Sequence, residues 1–286
     1  MHGSAEIRGT APPPAELPRA PSTQAWEAMS QAERETWIAR LGPLPFEAMP
    51  PVGDPHIEVE RAAEDSVAFR IREAGLKAYV GRGLAVYYPD ESAFAPDLFV
   101  VLDVAPHQRA SWFVSAEGGR GLDFVLEVHF RGDRQKDMDF NRERYAKLGI
   151  PEYFVFDVGR QALKGWSLES GTGRYAPIVP QAGRWTSRML GLDLVVRDRM
   201  LRFLSDGALI PLTRELMAAL EEALAAALAR AEEEADLRAA AEEAARAAEA
   251  RALAELEARL AAEARARAAE EELARLRAEV ERLRGG

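Results

Sequence analysis

The chain has 286 residues, no cysteine and a formal charge of −10, which allows one well-cored domain plus an appendage. The lack of cysteine excludes a disulfide framework, a thiolate metal site and a cysteine nucleophile. The acidic balance argues against a broadly basic nucleic-acid coat but not against a local basic channel, and no apolar run reaches the roughly 18 residues of a membrane span. The four histidines, His2, His56, His107 and His129, are too scattered for a histidine-rich metal centre. With no apolar signal segment near Met1, a cytoplasmic protein is the expectation.

Residues 1–23 are rich in Pro and Ala without apolar periodicity and predict a mobile arm. Residues 24–50 predict a capping helix and a linker. Trp26, Met29, Trp37, Ile38 and Leu41 recur at helical spacing over Gln24–Leu41, and four prolines follow between Gly42 and Asp54. A core domain is expected over 51–210. It opens with a helix over His56–Ala74, whose apolar side carries Val59, Ala62, Ala63, Val67 and Ile71. Short strands are predicted at Lys77–Val80, Leu84–Tyr88, Asp97–Leu102 and Ser111–Val114, separated by turn signals such as Gly81-Arg82-Gly83.

The segment Gly121–Asp157 reads as a parallel crossover unit. A largely apolar strand over Leu122–Phe130 leads to a helix over about Lys136–Leu148, stopped by Gly149 and Pro151, and then to a strand over Glu152–Asp157. Residues two apart share a strand face, so Glu127 and His129 lie on one side. Polar groups in an apolar strand cost free energy unless they are paired or bind something. Asp137, Asn141 and Tyr145 recur at i, i+4 and i+8 and form one stripe on the helix. Asp97 opens another apolar strand. Two carboxylates converging at one end of a sheet suit an oxygen-liganded divalent cation, which can activate water and neutralise charge on a phosphodiester. Each of these residues also has a structural reading: a strand start for Asp97, a satisfied strand-end histidine for His129, a dipole-favoured helix carboxylate for Asp137. Glu127, inside an apolar strand, resists one most.

Beyond this unit, Leu163–Leu168 and Arg174–Val179 predict an antiparallel pair, followed by strands at Leu192–Val196 and Leu201–Leu204. From Pro211 to residue 286 the chain is almost entirely Ala, Glu, Arg and Leu, strong helix formers, with no Gly or Pro between Pro211 and Gly285. Leu273, Leu276, Val280 and Leu283 make a heptad seam, and Leu253, Leu256 and Leu260 a second piece in another register. A coiled-coil tail that makes the protein a homo-oligomer is expected. The competing reading is a single charged helix held by Glu–Arg pairs.

Pro96-Asp97, then Glu127-Val128-His129, then Tyr145-Ala-Lys-Leu-Gly149-Ile-Pro151-Glu-Tyr153 resemble the Uma2 restriction endonuclease family, assigned to the PD-(D/E)XK nuclease superfamily. The resemblance covers about Pro51–Leu204. It implies an α/β fold, a mixed β-sheet flanked by helices. It also implies magnesium, or manganese, held by Asp97, Glu127 and the Val128 carbonyl, and DNA as substrate. The superfamily places a lysine two residues after the Glu, where this chain has His129. The family places one on the helix, where this chain has Asn141. His129 or Lys136 would then orient the attacking water. Three readings stay open: a metal-dependent DNA endonuclease, a nuclease fold that has lost catalysis and binds nucleic acid or assembles, and a coiled-coil scaffold with a structural head. Arg131, Arg134, Lys136, Arg142, Arg144 and Lys147 give the crossover a local basic excess that suits phosphate contacts and equally a solvated helix face.

Overall fold

The structure, a computed structural model, describes residues 17–40, 53–130 and 136–284, with the backbone alone for residues 136, 283 and 284. Most of the expected arm and linker lies outside these residues. The expected capping helix is two helices, α1 (Thr23–Ala28) and α2 (Gln31–Ala39). The break has a local cause: Ser30 takes an extended backbone and forms a capping box with Glu33, which satisfies orphan N–H groups that a continuous helix would not leave. Trp26 of α1 packs edge-on against Phe113, with ring centroids 4.6 Å apart.

Helix α3 (Asp54–Glu73) starts two residues before the periodicity predicts, with a proline in its first turn, where the missing N–H costs nothing. Next come β1 (Ala78–Gly81), β2 (Val86–Tyr87), β3 (Leu98–Leu102), β4 (Trp112–Phe113) and β5 (Phe124–His129). All six residues of β5 are buried. A π-helical turn (Lys136–Phe140) then runs into α4 (Asn141–Lys147). An ordinary helix was expected over this whole stretch; the wider turn at its start is a feature that recurs near functional sites. Gly149, at φ 75°, takes the left-handed conformation that ends the helix.

The remaining strands are β6 (Glu152–Asp157), β7 (Ala162–Leu168), β8 (Tyr175–Pro177), β9 (Arg184–Ser187), β10 (Leu192–Arg197), β11 (Met200–Ser205) and β12 (Ala208–Leu209). Strands β9 and β12 had no counterpart in the sequence reading; both are short and β9 is largely exposed, so neither shows a long apolar run. A six-stranded sheet has the order β1-β3-β5-β6-β7-β8, and a four-stranded sheet the order β12-β11-β10-β9. Strands β2 and β4 form a separate parallel pair, not members of the main sheet. The β5–β6 pair is parallel, the other pairs of the large sheet antiparallel, so the fold is mixed α/β.

Each face of the large sheet buries its own apolar cluster. One combines Leu98, Phe124, Leu126, Val128, Phe154 and Phe156 with Val59, Ala63 and Val67 of α3 and with Leu194, Leu201 and Phe203 of the small sheet. The other joins Phe99, Val125, Tyr153 and Val155 to Met138, Tyr145 and Trp112. Each fully buried Phe or Leu contributes about 1.5–3 kcal/mol. Strand parity assigns Glu127 and His129 to the second face, under the π-helical turn and α4.

The chain divides into two compact units, Met1–Leu216 and Met217–Gly286. Helix α5 (Thr213–Arg284, 72 residues) continues without interruption, about 110 Å at 1.5 Å per residue. Every described side chain from residue 213 to 282 is exposed.

Candidate active site

The register of the β3–β5 pair brings the carboxylates together. Leu98 lies opposite Leu126, and one step further along Asp97 meets Glu127. Glu127 points to the side covered by α4, where Tyr145 and Asn141 meet it, while Asp97, just before β3, turns its Oδ2 to the Val128 N–H and to His56 of α3. The Asp97 N–H donates to Glu127 Oε2 at 3.3 Å, and Asp97 Oδ2 accepts from the Val128 N–H at 2.6 Å. Val128 therefore borders the site through its backbone, while its side chain belongs to the core on the other face.

Glu127 is buried, 6 % exposed. Its Oε1 accepts from the Tyr145 hydroxyl at 2.7 Å and the Asn141 amide at 3.4 Å. The Asn141 amide also reaches Asp137 Oδ1 at 3.4 Å. Of the i, i+4, i+8 stripe, Asn141 and Tyr145 reach Glu127, and Asp137 is tied to it through Asn141. His129 turns instead to Asp137, with Nδ1 2.9 Å from Oδ2. The Tyr153 hydroxyl donates to the Asp137 carbonyl at 2.7 Å and anchors the π-helical turn on β6. The Lys136 side chain lies outside the described residues.

Burial raises the Glu127 carboxyl well above the usual carboxylate range, and the negative charges of Asp97 and Asp137 push it the same way. Burial and then Glu127 likewise raise Tyr145, so its phenol remains a donor to that carboxylate. A cation among these groups would reverse this electrostatic pressure, and the donors are hard carboxylate oxygens of the kind magnesium and manganese take. The donor chemistry therefore fits a divalent ion at Asp97 and Glu127.

On the α3 side the structure adds residues that the sequence reading did not nominate. His56, 2 % exposed, places Nε2 3.3 Å from Asp97 Oδ2. Glu60, one turn later and also buried, has Oε1 3.6 Å from His56 Nδ1. Arg82 approaches Glu60 at 3.4 Å and Glu64 at 2.9 Å. Burial depresses the basicity of His56, but Asp97, Glu60 and the Val128 backbone outweigh it and leave the imidazole raised. Burial and the Asp97 charge raise Glu60. A signal existed for both: they stand beside the apolar stripe Val59, Ala63, Val67 of the predicted helix, where a buried polar residue calls for a partner.

The basic residues of the crossover are partly engaged already. Arg144 sits over the Phe94 ring at 4.5 Å and bonds the Ser92 carbonyl, and Arg142 pairs with Asp139 at 3.4 Å. Lys147 is exposed.

A family profile described as "Uma2: Putative restriction endonuclease" matches residues 45–197, more than half of the chain. No curated protein matches the sequence. Among solved structures, a crystal structure from Anabaena variabilis described as a "putative nuclease belonging to DUF820" is similar, with 13% identity and a TM-score of 0.40, over 52% of this chain and 82% of that one.

Proposed function

We propose that this chain, which belongs to the Uma2 restriction endonuclease family, is a metal-dependent endonuclease that hydrolyses DNA phosphodiester bonds at the Asp97–Glu127 cluster. The observation that carries the reading is the meeting of two strand-borne acids in a buried, like-charged site. Asp97, Glu127 and the Val128 carbonyl would hold magnesium or manganese. When bound, such an ion polarises a phosphodiester oxygen and lowers the pKa of a coordinated water. Tyr145 and Asn141 fix the Glu127 carboxylate by hydrogen bonds. Asp137 fixes the His129 ring at Nδ1, leaving Nε2 as the nitrogen that takes or gives a proton at the attacking water. Lys136 is the second residue able to orient that water, as a point charge. Arg131, Arg134 and Lys147 supply phosphate contacts. The tail carries self-association through its exposed seams, in the simplest case as a parallel dimer, and the setting is cytoplasmic.

One observation favours the second reading, a nuclease fold without catalysis. At position 141 a neutral amide bridges Glu127 and Asp137, where the family resemblance expects a lysine. Cleavage of supercoiled and single-stranded DNA with magnesium or manganese, against an Asp97→Ala control, separates the two. Metal-dependent nicking that Asp97→Ala abolishes supports the enzyme. DNA binding without nicking supports the module.

A further inference from the structure

We infer that α5 pairs with the α5 of a second copy of this chain in antiparallel orientation, in the register that sets Glu234 against Arg259 and Arg238 against Glu255. The inference rests on the self-association proposed above and replaces its simplest form, the parallel dimer, with a stated orientation. One heptad seam runs the length of α5. Met217, Leu220 and Leu224 near its start stand eight heptads before Leu273, Leu276 and Val280 near its end, so all six fall on the core positions of one supercoiled helix. These six side chains are exposed within the chain, from 48 % to 63 %.

Between these ends the seam holds nine alanines and four charges: Glu234 and Arg238, then Glu255 and Arg259 three heptads later. Side-chain size along the seam reads bulky, small, bulky from either end, so packing alone fits both orientations. Charge does not. In a parallel, in-register dimer each seam residue faces its own copy, and four layers set Glu against Glu or Arg against Arg. When one helix is reversed about the point between Arg246 and Ala247, Met217 faces Leu276, Leu220 faces Leu273, and every seam acid faces a seam base. The flanking alanines let the helices approach closely. That takes the charges partly out of water and raises the cost of every like-charged layer.

The same charges select the register. A slip of one heptad would set larger side chains together, Leu224 against Leu276 and Leu220 against Val280, but it would leave all four charges facing alanine. Fixing register and orientation is the best-attested use of polar groups in a seam. Within one chain Glu234 pairs with Arg238, and Arg259 with Glu263. Such exposed pairs are weak and give way to partners across a closed seam.

The chain has no cysteine of its own, so introduced single cysteines report which positions meet. Full-length Leu220→Cys and Leu273→Cys proteins, each oxidised alone with diamide, should stay unlinked, and their mixture should give a disulfide-linked dimer. Leu273→Cys linking to itself shows a parallel dimer and overturns the inference while self-association stands. Leu220→Cys linking to Val280→Cys in place of Leu273→Cys overturns the register set by charge. A full-length protein that sediments as a monomer at micromolar concentration overturns both the inference and the self-association beneath it. Charge exchange reads the same geometry independently. Glu234→Arg sets arginine against Arg259 in two layers and should weaken dimerisation about 10-fold or more, and adding Arg259→Glu should restore it. The pairs within one chain predict the reverse, because the double variant sets like charges at both in-chain spacings. A double variant that dimerises more weakly than Glu234→Arg alone therefore overturns the inference.

Discussion

The two units of this chain hold their shape by opposite means. From Met217 onward, every backbone hydrogen bond of α5 joins residues close in sequence, every described side chain is exposed, and stability comes from helix propensity and pairs such as Arg238–Glu234 and Arg246–Glu242. Such pairs are worth only tenths of a kcal/mol each. In the first unit the important contacts join residues far apart in sequence: His56 with Asp97, Asp97 with Val128, Glu152 with Ser187. The difference teaches where chemistry can be built. A surface helix can only display charges, whereas a layered core can bury several acids together and hold them apart from water.

The comparison is broken most severely at buried Glu127 and half-buried Asp97. Asp97→Ala or Glu127→Ala should lower metal-dependent DNA cleavage by about 10³-fold or more, the scale of several kcal/mol of charge stabilisation, while an Ala substitution at an exposed tail glutamate such as Glu249 leaves the rate unchanged. A nicking assay on supercoiled plasmid reads both.

Glu152 tests the same contrast as stability. Its carboxylate accepts from the Ser187 hydroxyl at 2.5 Å, the Arg188 N–H at 2.7 Å and the Met189 N–H at 3.3 Å, tying β6 to the end of β9 and the residues that follow it. Glu152→Ala leaves these donors unmatched and should cost about 3 kcal/mol in urea unfolding. A loss under about 1 kcal/mol would mean water replaces the carboxylate and the tie is weak.

His129→Ala or Lys136→Ala should slow cleavage by about 10²-fold, as for a general acid–base group. Asn141→Ala should matter less, and Asn141→Lys should raise the rate. If neither His129 nor Lys136 affects the rate, the proton-transfer role assigned to them is wrong. An inert wild type beside an active Asn141→Lys variant would favour the module without catalysis.

Deleting residues 217–286 should shift the first unit's unfolding free energy by less than about 0.5 kcal/mol, as changes away from a packed core do, and convert an oligomer to a monomer in sedimentation. A full-length protein that is monomeric at micromolar concentration would leave the tail as a solitary charged helix.

A pH-dependent test concerns Glu215, which sits in the first turn of α5 within the first unit. The Leu212 N–H, first, and Arg202 lower its pKa. A carboxylate whose folded pKa lies below its unfolded value adds stability above the unfolded value, near 4.3, and loses it as pH falls through the folded one. Glu215→Gln should therefore destabilise at pH 7, by under about 1 kcal/mol because the group is exposed. The deficit should vanish at the acid end of that window. A deficit that persists there would assign the effect to packing on Arg202 and not to charge.

Sequence by itself determined what depends on neighbours along the chain. Hydrophobic period and composition were enough for α3, for the apolar strands β5 and β6 with their crossover, for the stop at Gly149, and for a tail of uninterrupted helix formers. They were also enough to single out Glu127, because a carboxylate inside an apolar run is visible locally. What only the tertiary structure decided is which strands pair and in what register. That choice set Asp97 against Glu127, sent His129 to Asp137, left β2 and β4 outside the main sheet, and carried His56 and Glu60 of α3 to the far side of Asp97. Pairing is decided by burial summed over both faces of a sheet, and a shift of one residue would turn Glu127 from α4 to α3. No window of sequence contains that sum: the convergence of Asp97 and Glu127 was an expectation from two apolar strands, whereas the register between those strands and the arrival of His56 and Glu60 required the fold.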